Sequence, residues 1–254
     1  MSGGSSPSDS ATGPSFYAQP RFLRSTRLRE WWTLLHPPYT MLHLALVTVG
    51  ACLVGPVNVT RYAETLVAFF LALGIGAHAL DELQGRPLRT TIPSWQLIGA
   101  AVVGLGGAVG LGISGMFIVS YYMAVFIAVG AFLALSYNLE LFGGRLHNGL
   151  VLVLAWGGFP ILTAYYAQHG TLGVAAVAAA AFGVLVTQLQ RTLSTPAREL
   201  RRRTASVTGT ITRSDGTTSP LTTAVILEPL ERSLKVLCWL GVAMAVALAY
   251  LRLS

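Results

Sequence analysis

Residues 62–93, YAETLVAFFLALGIGAHALDELQGRPLRTTIP, join a long apolar segment directly to a cluster of acids and arginines. An apolar segment of about 20 residues is long enough to cross the hydrocarbon of a bilayer as a helix. The charged residues then fall where such a helix leaves the membrane, because an ionised side chain inside hydrocarbon is costly. This pattern predicts a membrane helix whose end is polar and charged.

The same kind of apolar segment recurs along the whole chain of 254 residues. Hydrophobic residues make up 53% of it and charged residues only 11%, whereas a soluble domain carries about 25% charged residues. The apolar windows predict transmembrane helices at 39–55, 62–80, 95–113, 117–136, 149–168, 171–189 and 234–251. The fold class that we predict is therefore all-α, a polytopic helical bundle of about seven transmembrane helices in the cell membrane.

The positions of the arginines orient this bundle, since positively charged residues collect in the cytoplasmic loops of membrane proteins. Arginines precede the first predicted helix and occupy the loops after the second, fourth and sixth helices. The intervening loops hold only Arg61, and Arg252 ends the chain. This alternation predicts a cytoplasmic N-terminus. It also accounts for the net charge of +7, so that we expect the bilayer, and no nucleic acid, as a partner.

Composition divides the chain into four parts. Residues 1–27 are rich in Ser, Gly and Pro, and we expect a disordered cytoplasmic N-terminus there. Residues 28–190 form a six-helix membrane core, and residues 233–254 form the last transmembrane helix. Residues 191–232 form a basic cytoplasmic loop between them. Weak alternation around Asp215-Gly216 leaves two interpretations of this loop open, a short β-hairpin or a flexible polar connection.

Three polar side chains at the end of the second helix form the first candidate site. His78, Asp81 and Glu82 share one helical face at i, i+3 and i+4 spacing. We assign them as candidate catalytic residues, with Asp81 and Glu82 as ligands of a Mg²⁺ ion, because Mg²⁺ usually binds one or two carboxylates together with substrate phosphates. Arg86 and Arg89 follow and are candidates for binding phosphate oxygens. The alternative is that the two arginines pair with the two acids.

Two further segments are predicted to reach the same side of the membrane. SYNLELFGGRLHNG follows the fourth helix, and QLQRTLSTPAREL ends the sixth. The candidate substrate-binding residues that they contribute are Tyr137, Arg145, Asn148, Gln188 and Arg191. The run Arg201–Arg203 beyond them is better explained as an anchor for anionic lipid headgroups. Three cytoplasmic segments thus present polar residues over one bundle.

The order of these features resembles that of the intramembrane aromatic prenyltransferases, the UbiA-type enzymes. Their first span follows a basic segment and an Arg-Pro pair, to which LREWWTLLHPPYTMLHLALVTVGACLVG at residues 28–55 is similar. Their second span ends in a motif of the form NDxxDxxxD and an Arg-Pro-Leu turn, which AHALDELQGRPLRTTIP at residues 77–93 resembles. LSYNLELFGGRLHNG resembles the segment that places a Tyr and basic residues near the diphosphate. The resemblance extends over roughly residues 28–200.

This resemblance implies a membrane enzyme that ionises a prenyl diphosphate with two Mg²⁺ ions held by two acidic motifs. Ala77-His78 stands where the first motif has Asn-Asp, and the second motif falls on QLQRTLSTPAREL, which contains no aspartate. Two hypotheses follow, ahead of a third, a small transporter, for which a charged residue in the middle of a span would be expected. The protein transfers a prenyl group from a prenyl diphosphate to an acceptor with Mg²⁺ assistance, or it binds an isoprenoid lipid or a membrane partner without catalysis.

Overall fold

The computed structural model describes residues 23–254. The helices in this part of the chain are α1 Thr26–Leu34, α2 Pro37–Cys52, α3 Val59–Leu83, α4 Ser94–Ile118, α5 Met123–Asn138, α6 Gly149–His169, α7 Val174–Arg202 and α8 Thr223–Leu253, with a 3₁₀ turn at Phe142–Gly144. Between α7 and α8, an antiparallel hairpin pairs β1, Thr210–Thr212, with β2, Thr218–Pro220. Two segments are π-helical, Phe70–Ala77 within α3 and Leu154–Gly158 within α6.

The all-α prediction is confirmed, and the five helices α3, α4, α6, α7 and α8 are long and apolar enough to cross a membrane. Helices α2 and α5 have 16 residues each. At 1.5 Å per residue they are about 24 Å long, which is shorter than the span of about 20 residues that a bilayer requires. Helix α5 begins later than predicted because Ser120 forms a turn before it, in which its Oγ accepts a hydrogen bond from the Tyr122 N–H at 3.3 Å.

The connection between the last two helices is shorter than the predicted loop 191–232. Helix α7 continues to Arg202 and α8 begins at Thr223, which leaves residues 203–222 as the connection. The hairpin interpretation of this connection is confirmed. In its turn, Oδ1 of Asp215 accepts a hydrogen bond from the Thr217 N–H at 2.9 Å. The disordered stretch predicted for residues 1–27 lies mostly outside the described residues, although Thr26 already belongs to α1.

Helix α2 lies in the middle of the bundle, where it contacts α3, α6, α7 and α8. Pro37 and Pro38 occupy its first positions, where the missing N–H has no helical partner in any case. Most side chains from Thr40 to Cys52 are buried, as expected for a helix that is apolar on all sides. Helix α2 is therefore a short central helix that longer helices surround.

Close glycine contacts hold both π-helical segments against neighbouring helices. Gly183 of α7 lies on the backbone of Gly157 in α6, where a Cβ on either residue would overlap the other's carbonyl oxygen. Gly104 of α4 lies on α3, where a Cβ would be 2.8 Å from the backbone nitrogen of Gly76. Such small residues let membrane helices approach closely. These contacts fix the two irregular segments that adjoin the site described next.

Candidate functional site

A polar cavity of about 590 Å³ lies at one end of the bundle. Its walls come from the start of α2, the ends of α3, α5 and α7, and the first parts of α6 and α8. The side chains on which its chemistry depends are His36, His78, Asp81, Tyr137, Arg191 and Arg198. The polar cavity therefore gathers residues from all three segments that the sequence analysis selected.

His78 and Asp81 reach the polar cavity from the last turns of α3, directly after the π-helical segment. Nδ1 of His78 donates a hydrogen bond to the carbonyl oxygen of Gly74 at 3.2 Å, which leaves the lone pair of the neutral ring on Nε2. Within residues 23–254, the carboxylate of Asp81 has no hydrogen bond or ion pair. A base and a carboxylate thus face the same space from one helix end.

His36 lies between α1 and α2, with its ring centroid 4.7 Å from that of His78. Burial, the nearby His78 and the charges of Arg202 and Arg198 hold the pKa of His36 well below its ordinary value. The imidazole of His36 is therefore neutral at neutral pH and adds no positive charge. The cationic character of the polar cavity comes from arginines.

These arginines belong to the last turns of α7. Arg191 and Arg198 are seven residues apart, which is about two helical turns, so both reach the polar cavity from one face of α7. Neither guanidinium group makes a hydrogen bond or ion pair in the part of the chain that the structure describes. Arg201 differs from them, because its Nε donates to the carboxylate of Glu231 in a partly buried ion pair that links α7 to α8.

Tyr137 contributes an aromatic wall between the polar cavity and the bundle interior. Its ring lies 4.4 Å from that of His147 and 4.7 Å from that of Trp156. Nδ1 of His147 donates to the carbonyl oxygen of Tyr137 at 3.0 Å and so fixes this stack. Asn148 also lines the polar cavity, but its Oδ1 accepts the Val151 N–H at 3.0 Å and thereby caps α6.

An apolar cleft of about 140 Å³ lies between α3, α4, α5 and α6. Among its lining residues are the aromatic rings of Phe69, Phe126 and Phe159. Trp156, in the π-helical segment of α6, lines both this apolar cleft and the polar cavity. The two spaces therefore lie next to each other in the bundle and share Trp156 as a lining residue.

Glu82 does not face the polar cavity, contrary to its assignment as a catalytic residue and metal ligand. Its side chain is 0% exposed. Its Oε2 accepts the Leu88 N–H at 2.9 Å, and its Oε1 accepts the N–H and the hydroxyl of Thr90 at 2.9 and 2.8 Å. Successive residues on an α-helix point about 100° apart, which explains why Asp81 and Glu82 separate. Glu82 holds the loop of residues 84–93, which we call the clasped loop.

Arg86 also serves the clasped loop instead of phosphate binding. Its guanidinium group donates to the carbonyl oxygen of Ile92 at 2.6 Å and to Oγ of Ser94 at 2.8 Å. From α1, Glu30 accepts the N–H of Thr91 at 2.8 Å. The acids and arginines at the end of α3 therefore do not pair with each other. Glu30, Glu82 and Arg86 instead hold the clasped loop, which contributes Pro87 and Leu88 to the wall of the polar cavity.

Three further predicted substrate-binding residues lie outside the lining of the polar cavity. Arg89 is exposed on the clasped loop, and Arg145 is exposed between α5 and α6. Gln188 is exposed on α7, whereas Gln190, two residues later, lines the polar cavity. Helical geometry explains this last difference, because positions two residues apart point about 200° apart.

The basic end of α7 contributes more to the polar cavity than the sequence predicts. Arg198 lines the polar cavity, as does Arg201–Arg203, the run interpreted as a lipid-headgroup anchor. The sequence signal for Arg198 is its spacing. Arg198 falls seven residues after Arg191, so both side chains lie on one helical face if the helix continues as far as residue 198. The predicted end of the helix at residue 189 concealed this relation.

The donor set bears on which metal the site can hold. Within residues 23–254 there is no group of three His, Cys, Asp or Glu side chains suited to a metal ion. With Glu82 engaged by the clasped loop, Asp81 alone of the two predicted ligands faces the polar cavity. This arrangement does not fit two Mg²⁺ ions held by protein carboxylates, but it fits one that a substrate phosphate also coordinates.

Chemically, the site combines cationic and neutral hydrogen-bond donors with an adjoining apolar cleft. Guanidinium groups bind phosphate and carboxylate oxygens in bidentate geometry, and the apolar cleft suits a hydrocarbon tail. The arrangement thus fits an anionic amphiphile. Comparison of the chain with family models, curated proteins and solved structures gives no match.

Proposed function

We propose that this chain is a UbiA-like integral membrane protein that binds a prenyl diphosphate and transfers its prenyl group to an acceptor. The observation that supports the proposal is that an arginine-lined polar cavity adjoins an apolar cleft, with Trp156 as a lining residue of both. In the bound state the diphosphate lies in the polar cavity and the prenyl tail in the apolar cleft. Motif order and site geometry support the same class of ligand.

The proposed reaction breaks the bond between the prenyl carbon and the diphosphate oxygen, and the bonding electron pair leaves with the diphosphate. Arg191 and Arg198 stabilise the negative charge that develops there. The acceptor forms a bond to the same carbon, and the proton that it releases passes to Nε2 of His78. Asp81 would hold a Mg²⁺ ion, which neutralises phosphate charge when it is bound.

The proposal includes the topology of the chain in the cell membrane. Helices α2 to α8 form seven membrane segments, in which the short helices α2 and α5 cross together with the residues that flank them, and the N-terminus and the polar cavity lie on the cytoplasmic side. The arginine distribution supports this orientation. Outward apolar side chains such as Val102, Val103 and Leu185, each at least 66% exposed, support burial of the outer helices in lipid.

Labelling of single cysteines tests this topology. In a background without Cys52 and Cys238, Ser10→Cys and Ser254→Cys should react with a membrane-impermeant maleimide from opposite sides of the membrane. Permeabilised vesicles serve as the control, since both cysteines should react there. Reaction of both from the same side in sealed vesicles would show an even number of crossings and overturn the seven-segment topology.

A binding measurement tests the ligand class. Purified protein in detergent should bind a prenyl thiolodiphosphate, which resists hydrolysis, at least tenfold more tightly than inorganic diphosphate or the matching prenyl alcohol, because only the analogue uses both spaces. Equal affinities for the analogue and the alcohol would favour the second function, isoprenoid lipid binding without catalysis. One observation favours this second function: Glu82, a predicted metal ligand, accepts hydrogen bonds from the clasped loop instead.

A further inference from the structure

We infer that Arg191 and Arg198 bind the anionic headgroup directly, so that the protein recognises a diphosphate without a divalent cation and uses the cation only for turnover. This inference rests on the proposed function and specifies how its ligand is held. It assigns the headgroup site to α7, beyond the acidic end of α3.

Two other guanidinium groups near the site are already bound within the protein. Arg86 donates hydrogen bonds to Ile92 in the clasped loop and to Ser94, the residue that follows this loop. Arg201 forms an ion pair with Glu231. By contrast, Arg191 and Arg198 have no hydrogen bond or ion pair within residues 23–254, although both line the polar cavity. Each therefore still has donors that a ligand can satisfy, and each guanidinium carries five N–H groups.

Arg191 lies beside the first residue of α6. Its guanidinium group lies over Gly149, the first residue of α6, where a Cβ would be 2.6 Å from Cζ of Arg191. A glycine at this point leaves room for the planar group beside the N-terminal end of a helix of 21 residues. Both the guanidinium charge and the positive end of the helix dipole favour an anion here. The missing Cβ at Gly149 thus permits the observed position of the Arg191 guanidinium group.

The polar cavity carries an excess of positive charge. Five arginines line the polar cavity, whereas its carboxylates are Asp81, Glu140 and Glu231, which leaves two more cations than anions. The neutral His36 does not alter this excess. A headgroup with at least two negative charges balances it, as a diphosphate does, whereas a neutral prenyl alcohol does not. A divalent cation is not needed for that balance.

Chelation provides the first test on the unaltered protein. The affinity for the prenyl thiolodiphosphate should change by less than about threefold when Mg²⁺ is replaced by excess EDTA. Loss of binding in EDTA would overturn the inference while leaving the proposed function intact. Absence of binding in both buffers would overturn the proposed function and the inference together.

Variants provide the second test. Arg191→Gln and Arg198→Gln should each weaken analogue binding in EDTA by roughly ten- to a hundredfold, the effect of losing a charge-assisted hydrogen bond. Gly149→Ala should weaken it as well, although every arginine is retained, because the guanidinium of Arg191 is displaced. Arg145→Gln is the matched control and should leave affinity unchanged, since Arg145 is exposed outside the polar cavity. Equal effects of the Arg145 and Arg198 variants, at equal melting temperature, would overturn the inference.

Discussion

Replacing Glu82 with alanine should destabilise the protein by about 3–5 kcal/mol, because three donors lose their acceptor in a buried position. These donors are the N–H of Leu88 and the N–H and hydroxyl of Thr90. Glu82 is fully buried, so water does not replace the carboxylate as it would at the surface. The clasped loop should then open, and the wall that Pro87 and Leu88 give to the polar cavity should be lost with it.

Thermal unfolding in detergent measures this effect, and limited proteolysis locates it. The Glu82→Ala variant should melt at a lower temperature and be cleaved within residues 84–93. Glu140→Ala is the matched control, since Glu140 is exposed and lies at the rim of the same cavity. If the two variants melted alike and resisted protease alike, Glu82 would have no role in holding the loop.

The second large effect concerns Asp81. Asp81→Asn should reduce Mg²⁺-dependent prenyl transfer on the order of 10²–10³-fold, since it removes the one carboxylate of the predicted pair that faces the polar cavity. The amide is nearly the same size as the carboxylate, so the melting temperature should stay close to that of the unaltered protein. Binding of the thiolodiphosphate in EDTA should persist, because the arginines of α7 hold the headgroup.

Turnover with a radiolabelled prenyl diphosphate, followed at increasing Mg²⁺ concentration, checks this prediction. Glu140→Gln is the control variant, because it removes a second cavity carboxylate by the same chemical change. Full activity of Asp81→Asn would remove Asp81 from the reaction. Equal losses in both variants would show that only the total charge of the polar cavity matters.

The fold could be predicted where composition and length decide it. Long apolar segments separated by turn residues predicted the helices α3, α4 and α6 to within about five residues at their ends, whereas α7 extends 13 residues beyond its predicted end and α8 begins 11 residues before its predicted start. Helix α2 could not be recognised as a short central helix, because an apolar segment has the same sequence pattern whether lipid or protein surrounds it. The end of α7 was missed since its polar residues resemble a loop, although they remain helical to Arg202.

The candidate site was predictable only in part. Five of the predicted site residues line one cavity, while their catalytic and binding roles stay predictions: His78, Asp81, Tyr137, Asn148 and Arg191. Helical spacing alone could not reveal that Glu82 turns away from the cavity. Neighbouring residues on a helix point about 100° apart, so Glu82 can contact the loop while the residue before it faces the cavity. Nor could helical spacing reveal that Arg86 binds Ile92, since that contact depends on the path of the loop backbone.

The π-helical segment Phe70–Ala77 has a consequence for how the chain tolerates insertions and deletions. A π turn holds more residues than an α turn of similar rise, so an inserted residue can be accommodated there while the helix on either side keeps its place. A homologous chain with one residue fewer between Phe69 and His78 would still place an acid where Asp81 lies in the cavity. The residue number of that acid would be lower by one. Alignment gaps therefore belong inside residues 70–77, and motif spacing counted across this segment will mismatch side chains that are equivalent in space.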